Sequence, residues 1–329
     1  MWKNYSIPES SGFDQLKFFN GGKLENKGWE ASFRYVIVQK SNLMFSVSFN
    51  LSHNLNSFLE FPDNFNNIVG STIANGEYPR MAQLGQPIGS FYGFNYLGVY
   101  PTNSDAVAHD AEGNVKMDSN GNPIRMTFSN GYKFQGGDAR YADINYDGVI
   151  DINDVVYLGD SNPLYTGGMG FNTSWKKFSL SCQFLFRNGF DIVNEIALKT
   201  EGILDKNNQG KAVLRRWRKE GDNEPNMLPR AYMDSPANNL GSDRYVEAGD
   251  FLRLNNLSLE YSIDKELAQR FGLDMFEIGI NLRKIWTLTN YSGQDPEISQ
   301  SIDDPYWFGT DNGITPTPAV YSFYVNVMF

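Results

Sequence analysis

Apolar and polar residues alternate with period two along much of this chain, the pattern of β-strands whose two faces meet different surroundings. In residues 43–54, Leu43, Phe45, Val47, Phe49 and Leu51 fall on one face, and Ser46, Ser48, Asn50 and Ser52 fall on the other. In residues 178–187, Phe178, Leu180, Cys182, Phe184 and Phe186 alternate with Ser179, Ser181, Gln183 and Arg187, and only Leu185 breaks the order. Residues 28–38, 88–100, 167–175, 251–262, 276–288 and 319–329 bring the set to about eight predicted strands. Several approach the length of about ten residues that a tilted strand needs to cross a bilayer. The turn QKSN (39–42) joins the first two strands tightly, whereas residues 101–163, 191–249 and 290–318 form long connections rich in Gly, Pro, Asp and Asn. Short turns at one end and long loops at the other are the asymmetry of outer-membrane barrels. One helix is predicted in KAVLRRWRKEG (211–221), a loop helix packed by Trp217 with a solvated basic face; an anion or lipid site is the competing reading. No internal repeat stands out.

Composition sharpens this pattern. Aromatic residues make up 15% of the 329, with 24 Phe and 18 Tyr, yet only 41% of residues are hydrophobic and mean hydropathy is negative. That pairing is odd for a packed soluble core and suits strands with a single apolar face, because a transmembrane barrel keeps its lumen side polar. No run nears the roughly 18 apolar residues of a membrane-spanning helix, and no charged-then-apolar leader follows Met1. A cytoplasmic protein, a mature chain and a piece with its export signal upstream all satisfy the second observation, and the strands favour the last. A net charge of -10 argues against nucleic-acid partners. The single cysteine, Cys182, forms no intrachain disulfide and leaves the redox compartment open.

The sharpest local motif is DINYDGVIDIND (143–154). Asp143, Asn145, Asp147, the Val149 carbonyl, Asp151 and Asp154 hold the oxygen-ligand positions of an EF-hand-type loop, Gly148 stands at the sharp turn and Ile150 at the apolar anchor. Calcium wants six to eight oxygens, and alternate positions of a tight turn supply them together. Asp154 replaces the usual Glu at the last position, and its shorter side chain weakens a bidentate reach. A surface turn held by side chain to backbone hydrogen bonds is the competing account. With no strong helix leading in, a structural Ca2+ clip in a long loop is expected. At the other end of the chain, Tyr321, Phe323, Val325, Val327 and Phe329 form one apolar stripe ending on the last residue, similar to the signal by which outer-membrane barrels are recognised for assembly. Catalytic groupings are poor: His53 and His109 lack metal-ligand spacing and read as surface or lumen-facing, and there is no phosphate loop or nucleophile elbow. Cys182, on an apolar strand face without a basic neighbour, reads as inert packing against lipid. The chain is not expected to be an enzyme.

Several segments, in order, resemble the SusC/RagA family of TonB-dependent outer-membrane transporters. They are SSGF (10–13), LENKGWE (24–30), GQPIGSFYGFNYLGVY (85–100), the run from Gly137 to Trp175, RWRKEG (216–221) leading to LPRAY (228–232), FLRLNNLSLEYSI (251–263) and LTNYSGQDPEIS (288–299). The resemblance covers nearly all of residues 1–329 and implies an all-β fold, the C-terminal part of a 22-stranded antiparallel transmembrane barrel with long extracellular loops. One of these, at 101–165, contains the calcium-like loop. It also implies import of glycans or peptides across the outer membrane, a SusD-like surface lipoprotein as partner, and energy from TonB through an N-terminal part with a plug that this chain does not show. Strand edges cannot face lipid unpaired, so about eight strands must close alone or find the rest in the same or another chain. Tyr92, Tyr96, Tyr100 and Trp307 are candidate sugar-stacking residues, although aromatics at strand ends more often form the interfacial girdle. Two alternatives stay open: a small autonomous outer-membrane barrel serving as an adhesin or structural protein, and a soluble calcium-dependent carbohydrate-binding or enzymatic β-sandwich.

Overall fold

The computed structural model describes residues 22–61, 73–79, 81–204, 208–297 and 309–329, together with 5–6, 10 and 15–16. Seven long strands form one antiparallel sheet: β1 (Lys23–Lys40), β2 (Leu43–Glu60), β3 (Tyr165–Trp175), β4 (Phe178–Asn188), β5 (Phe251–Ser262), β6 (Met275–Thr289) and β7 (Val320–Met328). Each pairs with its predecessor in the chain, so the sheet is an up-and-down meander. Among the described residues β1 and β7 are bonded along one side only, and the sheet is an open arc rather than a closed barrel.

The register converts the sequence alternation into two continuous faces. Directly paired residues share a face, and one such row runs Tyr35, Val47, Phe171, Cys182, Leu257, Leu282, Tyr321 across all seven strands. The adjacent row, one residue along, runs Val36, Ser46, Asn172, Ser181, Ser258, Asn281, Ser322. Apart from Val36 beside a register shift in β1, the second row is polar throughout. Aromatic clusters bracket the apolar face at both ends. Trp29, His53 and Tyr165 group near the loop end, with centroids 5.9 and 5.1 Å apart. Trp175, Phe178 and Tyr261 group at the turn end, 6.4 and 4.8 Å apart. The ten rises of about 3.3 Å from Tyr165 to Trp175 span about 33 Å, and a barrel tilt of about 40° lowers this to about 25 Å, the height of the apolar band of such barrels. His53 therefore lies on the apolar face rather than in the lumen; its Nδ1 sits 2.8 Å from the Leu164 carbonyl.

Two irregularities in the alternation have structural causes. The pair Asn255–Asn256 in FLRLNNLSLEYS marks a bulge: β5 pairs through Leu254 and then Asn256 with both neighbours, so Leu252 and Leu254 stay on the same face as Leu257 and Leu259. Leu185 leaves the apolar face because it packs against a small cluster of Phe190, Ile192, Phe251 and Tyr291 on the polar side.

The long connections fold into a layer with its own core, where the sequence pattern predicts loops. Phe94, Tyr100, Phe134, Tyr141, Ile150 and Leu240 are buried together there, with Ala106, Ala108, Met126 and Phe128 beside them. The predicted strand over 88–100 is not part of the wall. It divides into Ser90–Gly93, paired with Val156–Asp160, and Tyr96–Val99, paired with Ala139–Tyr141. Residues 107–126 form a meander whose two turns, Asp110 to Asn114 and Asp118 to Asn122, share the sequence pattern DxxGN: each Asp accepts the backbone N–H groups two and four residues on. These turns are an internal repeat of period eight, which overturns the expectation of none. The helix predicted in 211–221 is a single 3-10 turn, Lys211–Arg215, because Arg216 and Trp217 leave it to join the strip around Leu228. Trp217 does pack this segment: its Nε1 donates to the Pro101 carbonyl at 3.2 Å. A Cβ on Gly137 would lie 2.4 Å from its indole, so only glycine fits beneath the ring.

Candidate functional site in the loop layer

Two charged hubs fix the layer. Asp138 is fully buried and takes Arg230 Nε at 2.7 Å and Asn238 Nδ2 at 3.2 Å on Oδ1, with the Tyr132 hydroxyl at 2.8 Å and Gln135 N–H at 2.9 Å on Oδ2. Arg230 also donates its backbone N–H to the Gly137 carbonyl and stacks over Tyr232 at 4.9 Å. The motifs GDARY and LPRAY, far apart in sequence, are thus the two halves of one ion pair. The second hub fastens a loop to the polar face of the wall. Arg253 of β5, 3% exposed, reaches Asp295 and Glu297, both at 2.5 Å, and donates to Thr287 Oγ1 at 3.0 Å. Arg187 and Lys284 approach Glu297 at 3.6 and 3.5 Å. The DPE segment of 288–299 is therefore a strap ion-paired to the wall. Sequence reasoning singled out these motifs without pairing them; the available signal was Arg253, a charge between two leucines in an alternating strand.

A cleft runs along the short helix α1 (Glu195–Glu201), which Asn194 caps by accepting the Ala197 N–H at 2.9 Å. It has two lobes, about 350 and 440 Å³, which share Ala197, Glu201 and Ser292. Arg244 lies between the Tyr96 and Tyr245 rings, 5.0 and 4.8 Å from their centroids, and its Nη2 holds Glu201 Oε2 at 3.0 Å. Burial pushes the Tyr96 hydroxyl up to about 12 and raises the Asp243 carboxyl above its ordinary value. Arg216 Nη2 donates to the Glu201 carbonyl at 2.6 Å.

The candidate aromatics divide. Tyr96 lines the larger lobe, with its hydroxyl on the Met227 carbonyl at 2.9 Å. Tyr92 and Tyr100 are 1% and 3% exposed, and Tyr100 belongs to the layer's core, so neither presents a ring face to a ligand. Trp307 lies outside the described residues. The terminal stripe of Tyr321, Phe323, Val325 and Val327 pairs with Leu282, Ile280, Ile278 and Phe276 on the apolar face, and Phe329 ends it exposed.

In the 143–154 loop Gly148 adopts φ 90°, as the turn requires. Asp143 accepts the N–H groups of Asp147 and Gly148 at 3.1 and 2.8 Å, and Asp147 accepts that of Val149 at 2.7 Å. Asp154 is fully buried and takes the N–H groups of Ile144 and Asp151, at 2.7 and 2.9 Å, on separate oxygens. Burial raises its carboxyl above the ordinary value. Asp151 Oδ1 accepts from Asn153 N–H at 2.8 Å. Among the described residues no three acidic, histidine or cysteine side chains converge in a metal-binding arrangement. The loop is held in this conformation by its own amides.

No family model matches the chain. It is 27% identical over 331 residues to TonB-dependent receptor P3 of Formosa agariphila, spanning 98% of this chain and 30% of that protein. With TonB-dependent receptor P39 of the same organism it shares 28% over 330 residues (92% and 30%), and with TonB-dependent receptor SusC of Bacteroides thetaiotaomicron 24% over 317 residues (91% and 27%). The chain thus spans about 30% of the length of the curated relatives it matches. Its fold superposes on a chain of the RagAB peptide transporter with a TM-score of 0.69 at 20% identity, covering 99% of this chain and 32% of that one. Against the RagAB peptide importer in its open-open state the TM-score is 0.70 at 18% identity, with 100% and 31% covered. Along nearly its whole length this chain is similar in sequence to part of TonB-dependent receptors, SusC among them, and similar in fold to part of a RagAB chain.

Proposed function

We propose that this chain supplies part of the wall and the extracellular loop layer of a TonB-dependent outer-membrane importer of glycans or peptides. In this reading β1 to β7 face lipid with their apolar rows and the import path with their polar rows. The long connections face a SusD-like surface lipoprotein, and TonB acts through the N-terminal part of the full receptor. The terminal stripe ending at Phe329 serves barrel assembly. The observation that carries the proposal is the pair of adjacent rows, one apolar across all seven strands and one polar across all but β1: water on both sides would leave the first unexplained, and a packed core the second. With Cys182→Ser as background, fluorophores placed by Phe171→Cys and Gln183→Cys in the full receptor separate the two faces. Brominated lipid should quench the first and spare the second; equal quenching would remove the proposal. Uptake of the nutrient should also stop in TonB-depleted cells, and unchanged uptake would count against TonB-driven import.

We also infer that the 143–154 loop takes Ca2+ through Asp143, Asn145, Asp147, the Val149 carbonyl, Asp151 and Asp154. Each carboxylate oxygen engaged by an amide keeps a second lone pair, so the loop's hydrogen bonds and an ion are compatible. The ion would stiffen the loop. Calorimetry on the full receptor should show chelator-sensitive binding that Asp143→Ala abolishes; no heat in the parent protein would end the idea.

A further inference from the structure

The connections at the turn end of the wall are unequal. Residues 41–42 join β1 to β2 and residues 176–177 join β3 to β4, whereas β5 and β6 are joined by residues 263–274, which hold a second short helix, α2 (Lys265–Arg270). This longer connection is built rather than slack. Gly272, at φ 74°, closes the helix with its N–H on the Gln269 carbonyl at 3.0 Å, and the Leu273 N–H reaches back to the Ala268 carbonyl at 3.1 Å, the paired bonds of a Schellman end. The Ile263 N–H donates to the Phe276 carbonyl at 2.8 Å and the Asp274 N–H to the Met328 carbonyl at 2.7 Å, so both ends are held on β6 and β7.

Around the helix axis the side chains separate by kind. At about 100° per residue, Leu267, Phe271 and Ala268 fall within one arc, and Lys265, Glu266, Gln269 and Arg270 occupy the rest. Ala268, at the edge of the apolar arc, is fully buried where α2 rests on β6, whereas Phe271 is 71% and Leu267 44% exposed. The apolar arc thus starts on the wall and continues away from it, uncovered among the described residues.

Position and charge select what covers it. The outward row of the wall runs from Tyr261 to Ile263, which stands opposite Phe276, and continues on β7 through Val327 to the exposed Phe329. The Trp175, Phe178 and Tyr261 rings mark the end of the apolar band, and α2 begins two residues past Ile263. From Tyr261 to Ile263, two rises of about 3.3 Å at a tilt of about 40° come to about 5 Å, the thickness of one headgroup layer. The helix is therefore continuous with the lipid-facing surface and level with the headgroups. Connections 176–177 and 263–274 carry four Lys or Arg against three Asp or Glu, and Asp264 is bonded to Lys177, so they offer an anionic surface little attraction.

We propose that the 263–274 connection is an interfacial foot: Phe271 and Leu267 enter the headgroup–acyl boundary of the leaflet at the turn end, with a zwitterionic phospholipid as partner. This rests on the barrel reading above, in which the short turns face the periplasm. The test uses the full receptor with Cys182→Ser as background, reconstituted in phosphatidylcholine vesicles. A small fluorophore is placed by Phe271→Cys, by Leu267→Cys or, on the polar arc, by Gln269→Cys. Phosphatidylcholine brominated just below the headgroup should remove most of the emission at 271 and 267 and leave 269 bright. The same lipid brominated near the bilayer centre should affect none of the three, whereas a mid-wall probe at Phe171→Cys should respond most to that deep bromine. Adding anionic phosphatidylglycerol should leave these losses unchanged. Bright emission at 271 and 267, or equal quenching at 269, would overturn the proposal; iodide then separates water, which admits the quencher, from a covering protein segment, which keeps it out. Quenching that appears only with phosphatidylglycerol would overturn it too, because charge rather than the apolar pair would then make the contact. Phe171 quenched with 271 and 267 bright strikes the foot alone, and Phe171 unquenched strikes the barrel reading itself.

Discussion

The wall and the loop layer are built from the same residue types and stabilised in opposite ways. In the wall, Phe33, Phe49, Phe171, Phe323 and Trp286 remain between 38% and 70% exposed, and the strands touch mainly their ladder neighbours. In the layer, Phe94, Phe134 and Ile150 are 0% exposed and Asp138 sits beneath them with every oxygen satisfied. Among the described residues the wall's outward apolar side chains have no protein to pack on, and in the proposed barrel their burial comes from lipid. The layer carries its own core and needs none. What looks in sequence like loop is the part of this chain that folds as a water-soluble protein does, and what looks like regular strand depends on its solvent.

The sharpest way to break this contrast is to damage the layer and ask whether the wall notices. Arg230→Met strips the partner from a fully buried carboxylate, and losing one member of a buried pair costs about 3–5 kcal/mol. The layer should become protease-sensitive in the membrane-inserted receptor while the heat-modifiable mobility of the barrel on gels persists. If barrel and layer are lost together, the two regions are one cooperative unit and the contrast fails.

The wall was legible in sequence because its rule is simple: period two against two solvents. Seven of eight predicted strands are wall strands, and both lapses, Leu185 and the Asn255–Asn256 pair, mark a packing contact and a bulge that local alternation does not encode. The layer was not legible because its short strands, Ser90–Gly93 and Tyr96–Val99 among them, obtain their partners from segments some 40 to 70 residues away. The charged hubs were half-legible: Asp138, Arg230, Asp295 and Glu297 stood inside motifs already singled out, but which charge meets which depends on how the long connections fold. The DxxGN repeat was readable and missed, since it sits where turns were expected anyway. For the cleft, sequence showed the basic run but not that Arg216 and Arg218 are turned onto carbonyls.

Within the wall, the two faces should tolerate charge differently. Phe171 lies at the middle of β3 on the apolar row, where an arginine near the bilayer midplane costs about 2–4 kcal/mol. Gln183, exposed on the polar row, should accept the same substitution at almost no cost. Folding titrations in lipid vesicles read this difference directly, and equal penalties for Phe171→Arg and Gln183→Arg would show that the polar row also meets lipid.

The smallest expected effect lies in the layer, at Asp154. Its carboxyl is raised by burial in the folded loop, so the folded state holds that proton more tightly than the unfolded chain does. The contribution to stability is then fully present below the ordinary carboxylate value and is lost as pH rises through the raised one. In chelator, amide exchange at Ile144 and Asp151, the two donors to Asp154, should quicken over that window relative to core amides such as Phe134. Asp154→Asn keeps one of the two acceptors, so it should flatten this pH dependence and cost about 1 kcal/mol of local opening energy. Calcium, if it binds the loop, should reverse the quickening at neutral pH, because the ion favours the same deprotonated form that burial disfavours. A rate relative to Phe134 that stays flat with pH in the parent protein would mean that Asp154 ionises without strain, and that its proton adds nothing to the amide bonds that hold the loop closed.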